Sequence, residues 1–301
     1  MSKLIPFIML LVISILALPA AQASEVHHTS AKQAILVDFD TGLTLFEKNA
    51  DEKMPTSSMS KVITMYAVFD QLKSGQLSLD SELPVSEKAW RKGGSKMFVE
   101  VGKRVKLKDL IRGVIVQSGN DATIVLAEGI SGSEGAFAEL LNETARKLNM
   151  NSSNFVNASG WPDPAHYSTA RDLSLLGAAI IRDFPEYYRY YSEKEFTFNN
   201  IKQSNRNPLL YRNMGADGIK TGHTEAGGYG LMGSGKRAER RVVMVINGLE
   251  DDKARATEGA RLLEWGLQSF ENITLFKKNE LVEQASVIMG KKETVGLNLK
   301  K

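Results

Sequence analysis

MPTSSMSKVITMYAVFD, residues 54–70, opens on Pro55-Thr56-Ser57, residues that start helices, and runs on through Val62, Met65, Tyr66 and Phe69 to Leu72 just beyond. Apolar side chains at intervals of three and four form the stripe of a buried helix. The start of that helix also carries Ser58 and Lys61. Positions i and i+3 share one helix face, so the hydroxyl and the amine can touch. Ser60 lies about 200° around the helix from Ser58 and is expected to be a bystander. A serine hydroxyl is a poor nucleophile until a base takes its proton. An ordinary lysine is protonated at pH 7, so Lys61 can serve only if burial or a second positive charge lowers its pKa.

The rest of the composition removes competing chemistries. The 301 residues contain no cysteine, which excludes disulfides, thiolate nucleophiles and Cys metal sites. Of the four histidines, His27 and His28 lie near the N-terminus, leaving His166 and His223 in the body, too few for a metal cluster. No metal or other cofactor is called for. Lys3 precedes LIPFIMLLVISILAL, residues 4–18, and an Ala21-x-Ala23 ending. This is the pattern of a secretory signal peptide over 1–23, cleaved after Ala23. The apolar run is short for a span of about 20 residues, and no later stretch is long and apolar enough to cross a membrane. Removing Lys3 lowers the formal net charge from +3 to +2. That near-balance argues for no nucleic-acid or membrane-surface partner.

Outward from the first helix, AILVDFDTGLTLFEKNA (34–50) reads as a hairpin turning at Asp40-Thr41-Gly42. In LKDLIRGVIVQ (107–117), Leu107, Leu110, Ile111, Val114 and Ile115 share one helical face. Two more helices follow over 120–130 and 134–150, and another over 169–184 with Thr169 and Asp172 in capping-box positions. GGYGLMGSGKRAERRVVMVING (227–248) reads as two strands around a polar turn, and 251–270 as a helix marked by Leu263, Leu267 and Phe270. A hairpin, a run of helices, then strands and a helix imply an α/β (α+β) fold in which distant segments share one antiparallel sheet. Residues 271–301 alternate in short Lys-rich runs and suggest the beginning of a small β-rich unit.

Two further segments bear on Lys61. GIKTGHTEAGGYG supplies Lys220 as the candidate second charge, followed by Thr221 and Gly222 before the first late strand. A glycine there allows a substrate backbone to approach the strand edge. VIVQSGNDATIVL places Ser118-Gly119-Asn120 between two helices, where Ser118 can relay a proton to or from Lys61 and Asn120 can hold a substrate amide. Each motif is weak alone: S-x-N recurs at Ser152-Ser153-Asn154, and a lone S-x-x-K is commonly a helix cap. S-x-x-K and K-T-G, however, each occur once, and with Ser118-Gly119-Asn120 they follow the order shared by penicillin-binding proteins and class A β-lactamases.

With those motifs in GVIVQSGNDA (113–122), YSEKEFTFNNIKQSNRNPLL (191–210) and ADGIKTGHT (216–224), the chain over roughly 30–270 resembles the low-molecular-mass penicillin-binding proteins that act as serine-type D-alanyl-D-alanine carboxypeptidases. The resemblance implies a β-lactamase/transpeptidase-like fold, a five-stranded antiparallel sheet beside helices with the site between them. It implies Ser58 as acylated nucleophile, Lys61 as its base and Ser118 as proton shuttle. Asn120, Lys220 and Thr221 would bind substrate, and the backbone amides of Ser58 and His223, beside Gly222, would form the oxyanion hole. Arg255 stands where the family reads the substrate's terminal carboxylate, although the residue before it is Ala254 where the family usually has Gly. The alternative for Arg255 is a solvated helix residue paired with Asp251 or Asp252. His166, in a Gly- and Pro-rich loop, is expected to be structural.

The resemblance further implies peptidoglycan stem peptides as substrate, β-lactams as covalent inhibitors, and export to the periplasm or the outer face of the cytoplasmic membrane. The expected organisation is a signal peptide (1–23), a catalytic domain (24–270) and part of a β-rich domain (271–301), with no membrane anchor visible in the chain. A class A β-lactamase needs a deacylating Glu between S-x-N and K-T-G, and 152–173 contains none. A DD-endopeptidase on the same fold and a non-catalytic wall-peptide binder are the remaining alternatives. The second of these would be expected to lose Ser58 or Lys61.

Overall fold

The computed structural model describes residues 28–277 and 279–298, so the leader expected over 1–23 lies outside the described residues. Strands β1 (Gln33–Asp38) and β2 (Thr44–Lys48) form the first hairpin. Its turn is held where the sequence places it, by the Asp38 carboxylate accepting from the Thr41 N–H at 2.9 Å. A 3₁₀ turn, Ser57–Ser60, leads into helix α1 (Lys61–Lys73). The stretch 74–106 folds as a small hairpin of β3 (Glu82–Pro84) and β4 (Arg104–Lys106) around the short helix α2 (Glu87–Arg91). Helices α3 (Leu107–Ile115), α4 (Asn120–Ser131), α5 (Glu134–Lys147), α6 (Ala170–Asp183) and α7 (Pro185–Tyr188) follow. Then come a second small hairpin, β5 (Glu195–Phe198) and β6 (Ile201–Ser204), and strands β7 (Ala216–Thr224), β8 (Gly228–Arg237) and β9 (Arg240–Leu249). Helix α8 (Asp252–Gln268) and a last hairpin of β10 (Leu281–Ser286) and β11 (Thr294–Asn298) end the described chain.

The five-stranded sheet has the order β2-β1-β9-β8-β7, antiparallel throughout, as expected. Side chains alternate between its faces with a period of two. On β9, Val243 and Val245 join one core with α1 and α3–α6, whereas Val242, Met244 and Ile246 join another with Leu262, Leu263 and Leu267 of α8. The sheet is therefore covered on both faces, and β7 is one of its edges.

Two local readings change. Helix α1 begins at Lys61, because Ser57 has φ 49°, outside the helical region, and only a tight 3₁₀ turn fits between it and Lys61. Its apolar stripe is also broader than expected: Val62, Ile63, Met65, Ala67, Val68, Phe69 and Leu72 are all buried, as befits a helix surrounded by protein. At α6, Thr169 caps as expected, accepting from the Asp172 N–H at 3.0 Å. The Asp172 carboxylate turns away to accept from Ser152 N and Ser153 Oγ. That bond gives the second S-x-N copy a structural task.

Candidate active site

The Ser57–Ser60 turn is wedged between the sheet edge and the loop that joins α5 to α6. Ser57 Oγ lies 2.9 Å from Thr224 Oγ1 of β7. Gly160, at φ 75°, presses against the turn so closely that a Cβ there would lie 1.8 Å from the Ser57 carbonyl oxygen. Between residues 56 and 65 every side chain is buried except Ser58. In a 3₁₀ turn positions i and i+3 eclipse, so Ser58 and Lys61 stack directly. Ser60 points elsewhere, to His166 Nε2 at 2.7 Å.

Lys61 is 1% exposed, and its Nζ lies 2.9 Å from Ser58 Oγ, 2.8 Å from Asn120 Oδ1 and 2.6 Å from the Ser159 carbonyl. Asn120 Nδ2 donates to the Gly93 carbonyl at 2.9 Å, which turns Oδ1 towards the amine. The Asn120 and Ser159 oxygens can only accept. A neutral amine has two N–H donors and one lone pair, so with both donors engaged the lone pair is left for the Ser58 hydroxyl. Burial brings the Lys61 pKa down to about 7, helped by the charges of Arg206 and Lys92 and opposed by Asp121. Arg206 and Lys92 thus bring positive charge to Lys61 in addition to Lys220, the neighbour sought from the sequence. Lys220 itself is held well below the usual lysine range, first by burial and then by Lys61.

Ser118 is 2% exposed, has φ 65°, and its Oγ has no hydrogen-bond partner among the described residues. A non-glycine residue in the left-handed region is strained, and strain of this kind concentrates at functional sites. The next residues hold the rim: Asp121, 1% exposed, accepts from the N–H groups of Met97, Phe98 and Val99.

On β7, Lys220 and Thr221 are buried, and Lys220 Nζ donates to the Thr221 carbonyl at 3.2 Å. A Cβ on Gly222 would lie 2.9 Å from the Thr56 carbonyl oxygen and 3.2 Å from Ser57 Cβ. The absent side chain therefore lets the sheet edge lie against the Ser57–Ser60 turn. His223 is exposed, its ring stacked on Tyr229 at 3.9 Å between centroids.

Ser58 sits where two recesses meet. One, of about 280 Å³, is lined by Ser58, Ser95, Ser118, Arg206, Thr221, Gly222, His223, Tyr229 and Arg255. Arg255 is 7% exposed and lies over the Tyr229 ring at 5.5 Å. It pairs with Asp252, as its alternative reading anticipated, yet it is buried, and its Nε has no hydrogen-bond partner among the described residues. Arg206, which sequence reasoning missed, donates to Ser95 Oγ at 2.6 Å. Two guanidiniums beside hydroxyls suit a carboxylate. The other recess, of about 530 Å³, includes Ser58, Asn120, Trp161, Pro162 and Glu225. All nine residues named from the sequence lie in or beside this seam. Arg206 sits in a polar Asn205-Arg206-Asn207 loop whose spacing from Ser58 carries no signal.

The chain is similar to known proteins along most of its length. A family model described as D-alanyl-D-alanine carboxypeptidase matches residues 20–250. The D-alanyl-D-alanine carboxypeptidase DacC of Escherichia coli (strain K12) is 40% identical over 288 residues, covering 93% of this chain and 72% of that protein. Penicillin-binding protein 5 from Haemophilus influenzae matches with a TM-score of 0.85 at 39% identity, covering 90% of this chain and 80% of that one. Penicillin-binding protein D2 from Listeria monocytogenes in its ampicillin-bound form matches with a TM-score of 0.73 at 29% identity, covering 80% of this chain and 98% of that one.

Proposed function

The chain belongs to the D-alanyl-D-alanine carboxypeptidase family, a serine-type peptidase with the penicillin-binding fold, and we propose that Ser58 is its acylated nucleophile and Lys61 the base that activates it. The reaction removes a terminal D-alanine. Ser58 Oγ attacks the carbonyl of the penultimate residue while the neutral Lys61 amine takes the hydroxyl proton. The Ser58 and His223 backbone N–H groups stabilise the oxyanion. Ser118, with an uncommitted hydroxyl in the same recess, passes the proton to the departing amine. Arg255 and Thr221 hold the terminal carboxylate with Lys220 behind them, and Asn120 aligns both Lys61 and the substrate amide. Water then hydrolyses the acyl-enzyme.

The observation that carries this reading is the Lys61 amine, buried and 2.9 Å from Ser58 Oγ with its other acceptors fixed. The substrate is the D-Ala-D-Ala end of peptidoglycan stem peptides. A β-lactam is attacked at the same serine, and because its leaving group stays tethered the acyl-enzyme persists. The protein works after export, in the periplasm or on the outer face of the cytoplasmic membrane, with 24–270 as the catalytic unit and a β-rich unit opening at 271. No helix among the described residues is long and apolar enough to cross a membrane.

Fluorescent penicillin is expected to label the protein, and peptide digestion to place the label on Ser58. Ser58→Ala should abolish both labelling and D-alanine release. Label retained by that variant would remove Ser58 from its role.

A further inference from the structure

We propose that His166 is a positioning residue for Lys61: its ring braces the 154–166 loop against the start of α1 and so holds the Ser159 carbonyl on the Lys61 amine. This rests on the reading of Lys61 as the proton acceptor and adds how that amine is kept aligned.

The loop is fastened to the rest of the fold at its ends. Asn154 pairs with Tyr167, and Met54 with Ser168. Ser159 lies far from both fastenings along the chain, yet its carbonyl must meet Lys61 Nζ at 2.6 Å. Nearer at hand, Thr64 Oγ1 donates to the Ala158 carbonyl at 2.7 Å. Helix α5 holds the outgoing limb from its other side, with Asn142 bonded to both backbone groups of Phe155 and Glu134 accepting from Ala158 N, and His166 adds a side-chain tie between that limb and Ser60, the residue before Lys61. The His166 Nδ1 accepts the Val156 N–H at 3.2 Å and its Nε2 meets Ser60 Oγ at 2.7 Å. One ring thus spans the outgoing limb of the loop and the residue immediately before Lys61.

The partners fix the tautomer. A backbone N–H can only donate, so Nδ1 is the bare nitrogen and Nε2 carries the proton, which it donates to Ser60. The ring is 4% exposed and stands edge-on to Phe155, with centroids 5.5 Å apart. The charged groups acting on it are Asp163 of its own loop and Lys61 of α1, pulling in opposite directions, while burial lowers its pKa to about 4. The imidazole is neutral wherever Lys61 titrates, so it acts as a brace and not as a second base.

The role is separable from that of any buried histidine because it acts on the titration of another residue. Loosening the loop admits water to Lys61, and burial is the largest cause of the low Lys61 pKa. The amine should then hold its proton to higher pH. The experiment is the pH dependence of acylation by fluorescent penicillin in the full chain. Wild type should show an acid limb near pH 7. His166→Phe keeps the ring and removes both hydrogen bonds; its limb should move up by about one unit, with acylation at pH 6 down about tenfold and the high-pH plateau changed far less. His166→Gln can accept from Val156 and donate to Ser60, and should restore the wild-type limb. Ser60→Ala removes the other end of the brace with a residue that suits the helix, and should shift the limb in the same direction even if His166→Phe fails to fold.

An unmoved limb in Ser60→Ala, or in a folded His166→Phe, would overturn the proposal, as would a His166→Gln enzyme that behaves like His166→Phe. A wild-type profile without a limb near pH 7 would instead remove the Lys61 reading beneath it.

Discussion

Replacing Lys61 by arginine separates the charge of this residue from its basicity. Burial and the cations Arg206 and Lys92 bring the Lys61 pKa from its ordinary 10.5 to about 7. At pH 7 about half of the molecules then carry a free amine, against roughly one in three thousand for an unperturbed lysine. The environment is thus worth on the order of a thousandfold in available base. Below pH 7 the free amine should decline about tenfold per unit, and above it the acylation rate should level off. A guanidinium keeps its proton throughout this range, so the arginine variant has no base to titrate. Its acylation by fluorescent penicillin, measured in single turnover from pH 5 to 9, should fall by about 10² or more at neutral pH and lose the acid limb. The refuting result is an arginine variant that acylates at the wild-type rate, or a wild-type enzyme whose rate rises only near the pKa of an ordinary lysine.

Arg255→Ala should lower kcat/KM for a peptide with a free C-terminus by roughly 2–3 kcal/mol, the scale of a charged hydrogen bond, and do much less to the same peptide amidated at its end. Equal losses on both peptides would remove Arg255 from carboxylate reading. Gly160→Ala puts a methyl 1.8 Å from the Ser57 carbonyl oxygen at a residue with φ 75°. It should destabilise the fold by roughly 2–4 kcal/mol and slow acylation as well, read by thermal melting and penicillin labelling. A variant with wild-type melting and labelling would show that the loop is not seated on the nucleophile turn.

What the sequence disclosed was local chemistry and long periodicities. Ser58 and Lys61 are legible because three residues of chain hold them together, and the strand after the polar turn of 227–248 because its unbroken run Val242–Ile246 serves two separate cores, one on each face of β9. The 3₁₀ turn was not legible, since Ser57 takes its left-handed backbone in a place bounded by Thr224 and Gly160, both remote in sequence. For the same reason the sequence points to Lys220 as the neighbouring charge but not to Arg206 and Lys92, which also act on Lys61. Proximity in space, which decides a Coulomb interaction, leaves no spacing to read. The sequence marks Gly222 as room for substrate at the strand edge. Its missing side chain also makes room for the Thr56 carbonyl and Ser57, a packing demand that the sequence does not display.

The order of the sheet also bears on how the chain reaches its fold. Strand β1, almost the first described element, lies between β2 and β9, and β9 is the last strand that the sheet receives. Until residues beyond 240 are in place, Gln33–Asp38 has one side unpaired, an open edge on which another chain can pair. Helices α3, α4 and α5 pack in sequence order and can form early, whereas the sheet must wait for its two ends to meet across most of the chain. A chain that crosses a membrane N-terminus first would carry that open edge for most of its passage. The nucleophile turn, wedged against β7, gains its final geometry only when the same late strands arrive. Penicillin reactivity would thus mark the end of folding, and a stalled or truncated chain would be helical yet unlabelled.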